Sequence, residues 1–64
     1  MFKDIVSIME KNGWQAVKEF NGYIQFQYGR ITVIIPRLDE YTNTELDTYE
    51  KKTGLSFRWI RSFF

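Results

Sequence analysis

The chain has 64 residues with nine Lys and Arg against eight Asp and Glu, a formal charge of +1, which excludes a protein that coats nucleic acid by charge alone and leaves room for one domain, residues 1–64. Cysteine and histidine are both absent, so disulfides, thiolate or imidazole metal sites, and Cys-His or Ser-His-Asp catalysis are excluded. Hydrophobic residues make up 44% and aromatics 19%, a composition that folds rather than stays disordered.

The first segment reads as a helix. Phe2, Ile5, Val6 and Met9 fall at i, i+3, i+4 and i+7, and Ile8 widens the stripe. Lys3, Asp4, Ser7, Glu10 and Lys11 take the other side. Gly13, preceded by Asn12, stands where a left-handed residue closes a helix.

From Trp14 the period becomes two. Trp14, Ala16, Lys18 and Phe20 alternate with Gln15, Val17 and Glu19, and neither set is cleanly apolar. Asn21-Gly22 is a hairpin signal, and it predicts a type I′ turn with positive φ at both residues. In the next strand Ile24, Phe26 and Tyr28 share one face, while Tyr23, Gln25 and Gln27 share the other. Gly29-Arg30 predicts a second tight turn. Ile31 to Ile35 is β-branched throughout, and Pro36 ends it. The expected sheet is an antiparallel meander of three strands.

Pro36 to Tyr41 reads as a loop. Thr42 and Glu45 have capping-box spacing, Tyr41 and Leu46 that of a hydrophobic staple. The second helix runs to about Thr53, with Gly54 as its cap and Leu55 beyond. Its apolar stripe is thin: Leu46, Tyr49 and then Thr53. The expected fold class is α+β, a three-stranded antiparallel meander packed by two helices (α-β-β-β-α). Ser56 to Phe64 fits either a short third helix or a strand, and its apolar residues either complete the core or form a docking surface.

The element order resembles the HicA family of toxin–antitoxin mRNA interferases. The residues that carry the likeness are Lys11-Asn12-Gly13-Trp14, Gly22 to Phe26, Arg30 to Ile35, and Leu46 through Gly54-Leu55-Ser56, within residues 1–57. The resemblance implies a fold like the double-stranded RNA-binding domain. Where the family carries its catalytic histidine after Gly-Ser, this chain reads Asn21-Gly22-Tyr23-Ile24, so the ribonuclease chemistry is not implied. Double-stranded RNA-binding domains place lysines at the start of the second helix; here Asp39, Glu40, Glu45 and Asp47 stand in that region.

Those four carboxylates are candidates for acid–base work, against the plainer reading of a capped helix with acids at its positive end. Arg58-Trp59-Ile60-Arg61 interleaves cations with aromatics, which suits RNA if Lys18, Arg30 and Arg37 extend the strip. Tyr23, Gln25 and Gln27 on one sheet face, with Arg58, Trp59, Arg61, Phe63 and Phe64 of the tail, have the residue types of a protein-docking surface. No apolar stretch approaches the ~18 residues of a membrane span, and Met1–Lys11 mixes charges into its apolar positions, unlike a signal peptide. The expectation is therefore a cytoplasmic, non-catalytic binding protein without cofactor or metal, acting on a protein partner as inhibitor or adaptor. Small phage or mobile-element proteins that block a host enzyme share this composition. The alternative is a HicA-like RNA-binding protein, and a homodimer would enlarge so small a core.

Overall fold

A computed structural model describes residues 1–57. Helix α1 spans Phe2–Lys11. Its predicted stripe turns inward: Ile5 and Met9 are buried, and Phe2, Val6 and Ile8 pack partly buried against the core. Asn12 closes the helix and Gly13 follows with φ +88, where a residue with Cβ would be strained.

Three strands follow: β1 Gln15–Phe20, β2 Tyr23–Tyr28 and β3 Ile31–Pro36. They form one antiparallel sheet in the order β1-β2-β3. Ile24 pairs with Ile35 and Phe26 with Val33, so these four side chains share a face, and all are buried. Helix α2, Asn43–Thr53, contributes Leu46 and Tyr49 to the same core, and Trp14, Tyr41 and Phe57 complete it. Every buried core side chain of the sheet thus points to the helical side, as the period-two pattern of β2 requires.

The strand β1 departs from its sequence pattern. Its register slips between Ala16 and Lys18, so Ala16 faces Phe26 while Lys18 faces Gln25 and Phe20 faces Tyr23. The extra residue, Val17, reverses the phase of the alternation. Ala16 therefore lies on the helical side and Lys18 and Phe20 on the other, although all three share one parity in the sequence.

The Asn21-Gly22 turn also differs from expectation. Neither residue has positive φ, so it is not type I′. The Gly22 carbonyl accepts from Arg37 N–H at 2.9 Å, which extends the β2–β3 pairing by one step and holds Gly22 in line with β2. At the other turn Gly29 has φ +58 and Arg30 does not have positive φ, the pattern of a type II′ hairpin.

The start of α2 is as the sequence spells it. Glu45 N–H donates to Thr42 Oγ1 at 3.1 Å, and Thr42 N–H donates to Glu45 Oε1 at 3.0 Å. Gly54 ends the helix at φ 73, its N–H donating to Glu50. Tyr41 and Leu46, the staple pair, are both buried. Phe57 is fully buried and its N–H donates to Glu50 Oε2 at 2.8 Å. The expected third helix or strand beyond it lies outside the described residues.

Candidate functional site: the open face of the sheet

Both helices pack on one side of the sheet, and no described element covers the other. Strand pairing places three rows across this open face: Phe20, Tyr23 and Pro36; Lys18, Gln25 and Ile34; and Gln15, Gln27 and Thr32. The first row is apolar and aromatic. The Phe20 and Tyr23 rings lie 4.5 Å apart at an angle of 31°. Both remain open to solvent, 40% and 36% exposed, and Ile34 in the second row is 50% exposed. Large apolar groups on adjoining strands of one face form a patch rather than scattered exposure.

Charge is unevenly placed around this patch. Lys18 is the single ionisable cation of the three rows, and no carboxylate lies in them. Glu19, next to Lys18 in the chain, faces the helical side opposite Ile24. There Arg37 meets it, Nη1 to Oε1 at 3.2 Å, and the guanidinium also stands 5.1 Å from the Phe2 ring centre. Amide and hydroxyl groups supply the rest of the polarity. Gln27 spends one donor on the turn, Nε2 to the Gly29 carbonyl at 3.0 Å.

The structure thus brings Tyr23, Gln25 and Gln27 together, as their spacing predicts. The other expected docking residues, Arg58, Trp59, Arg61, Phe63 and Phe64, lie outside the described residues. Phe20, Lys18 and Ile34 belong to the face and were missed in the sequence. The bulge at Val17 hid the first two, and Ile34 sits in a run that is apolar on both faces.

The basic strip expected from Lys18, Arg30 and Arg37 does not form. Arg30 sits in the β2–β3 turn and Arg37 follows the far end of β3, about 20 Å away for a six-residue strand. Arg37 is moreover paired to Glu19. The acidic candidates are also accounted for in part: Glu45 serves the capping box. Among the described residues no three His, Cys, Asp or Glu gather to hold a metal ion, and no helix is long and apolar enough to cross a membrane.

Two buried tyrosines support the loop that returns from β3 to α2. The Tyr41 hydroxyl donates to the Pro36 carbonyl and accepts from Leu38 N–H. Burial pushes its pKa up from 10.0 to about 12, with the Leu38 N–H opposing the rise. Tyr49 meets Tyr41 edge to face at 6.0 Å, and burial first, then Glu45, raises its pKa. Neither hydroxyl is placed for chemistry on the open face. Comparison with protein-family models, curated proteins and solved structures finds no match.

Proposed function

We propose that this is a small binding protein that docks a protein partner on the open face of its sheet, as an inhibitor or adaptor without chemistry of its own. One observation carries the reading: the Phe20–Tyr23 pair and Ile34 form an uncovered apolar patch ringed by Lys18, Gln25, Gln27 and Thr32. Aromatic anchors inside a polar rim are the arrangement of protein-binding hot spots. The missing carboxylates favour a partner surface that brings its own acid to Lys18.

A photo-crosslinking residue in place of Gln25 tests it, with the same residue at Lys51 on α2 as control. A protein adduct formed at position 25 and lost in the Tyr23→Ala variant supports the reading. Adducts of equal yield from both positions sink it. Exposed aromatics beside a lysine also suit base stacking. An adduct at position 25 that nuclease removes replaces the protein reading with RNA binding of the HicA-like kind.

A further inference from the structure

Two Asn-Gly dipeptides occur in the chain, Asn12-Gly13 and Asn21-Gly22. In either one the glycine amide nitrogen can attack the asparagine side-chain carbonyl, since no Cβ on the following residue shields it. A cyclic imide forms, the side-chain nitrogen leaves as ammonia, and the attacking amide gives its proton to solvent. Water then opens the imide at either carbonyl, which leaves aspartate or isoaspartate. No oxidant or other reactant is needed. Sequence alone gives the two sites the same chemistry.

Their surroundings differ. Asn12 Nδ2 donates to the Ile8 carbonyl at 2.8 Å, and Gly13 N–H, the attacking group, donates to the Glu10 carbonyl at 3.2 Å. The Tyr28 ring covers the glycine: a Cβ built there would stand 3.1 Å from Tyr28 Cε2. Asn21 and Gly22 are both exposed. Among the described residues no hydrogen bond holds the Asn21 side chain, and Gly22 is tied to Arg37 through its carbonyl. Nothing lies within 4 Å of a Cβ built at Gly22.

We infer that Asn21 is a site of spontaneous deamidation in the folded protein, while the fold protects Asn12. Cyclisation at Asn12 must first break two hydrogen bonds and displace a ring. That holds it about tenfold or more below Asn21 in rate. The product places a new carboxylate beside Glu19 and takes the formal charge from +1 to zero. Isoaspartate also inserts a methylene into the turn that sets Phe20 against Tyr23.

Peptide mapping by mass spectrometry tests this, on the folded chain held for days at neutral pH and on the same chain in denaturant. The expected result is conversion at Asn21 with Asn12 intact in the folded protein, and similar conversion at both in denaturant. Gly22→Ala slows the reaction at Asn21 without changing Asn12. Equal conversion of the two asparagines in the folded protein overturns the inference. So does an unchanged Asn21 over the time in which the denatured chain converts. The mass map does not depend on the docking reading, so either can fail without the other.

Discussion

Phe20 and Tyr23 flank the Asn21-Gly22 turn, with ring centres 4.5 Å apart, on the side of the sheet that no helix covers. Their contact is therefore made in water, and its two members bear on the fold much less than a core ring does.

Tyr23→Ala gives up a half-exposed aromatic contact worth about 0.5–1.5 kcal/mol. Phe26, fully buried two residues on, costs about 3–5 kcal/mol when cut to Ala. In so small a domain the second loss is comparable to the whole stability. Urea unfolding followed by tryptophan fluorescence is expected to show Tyr23→Ala folded with a slightly lower midpoint and Phe26→Ala largely unfolded. An unfolded Tyr23→Ala would make the ring structural.

Gly13 and Gly54 both have positive φ, +88 and +73. An alanine at either residue pays about 1–2 kcal/mol for the left-handed backbone. Only at Gly13 does the new methyl also press on Tyr28, at 3.1 Å, a ring that packs on Trp14 with centres 5.4 Å apart. Gly13→Ala is expected to be the more destabilising of the two in thermal melts, with a change in tryptophan fluorescence that Gly54→Ala lacks.

Thr42→Ala removes the side-chain half of the capping box and leaves Glu45 N–H to water. The expected loss is about 0.5–2 kcal/mol, whereas Thr42→Ser, which keeps the oxygen, stays close to the parent. Denaturant midpoints of the three proteins decide it.

The raised pKa of Tyr41 predicts alkaline sensitivity. Unfolded, the phenol ionises near 10.0; folded, it holds its proton to about 12. Its contribution is complete below pH about 10 and declines as pH rises towards about 12, because the unfolded state releases the proton first. Tyr49 is shifted in the same direction. Lysines titrate in this range too, so the comparison is with Tyr41→Phe. Stability measured by denaturant should fall more steeply with pH in the parent than in that variant; parallel slopes would contradict it.

The parts of the fold that were legible rest on residues whose signal is local. Thr42 and Glu45 cap because they stand three apart, Pro36 stops a strand because it lacks an N–H, and Gly13 and Gly54 end helices because they tolerate positive φ. The alternation of Tyr23 to Tyr28 named one face of the candidate site for the same reason.

The face of β1 was not legible. Trp14, Ala16, Lys18 and Phe20 keep one parity in the chain, but the bulge at Val17 sends Ala16 to the helical side and Lys18 and Phe20 to the open one. A bulge is set by the strand it pairs with, not by the residue that forms it. The Asn21-Gly22 turn likewise lost its expected type I′ form because Gly22 is held by Arg37, fifteen residues downstream. The sequence alone thus determined the elements, their order and their ends, since caps, turns and periods act within a few residues. Tertiary structure decided which face of β1 joins the patch and which of two identical Asn-Gly pairs is held. Both depend on hydrogen bonds and contacts between segments that the chain brings together only when it folds.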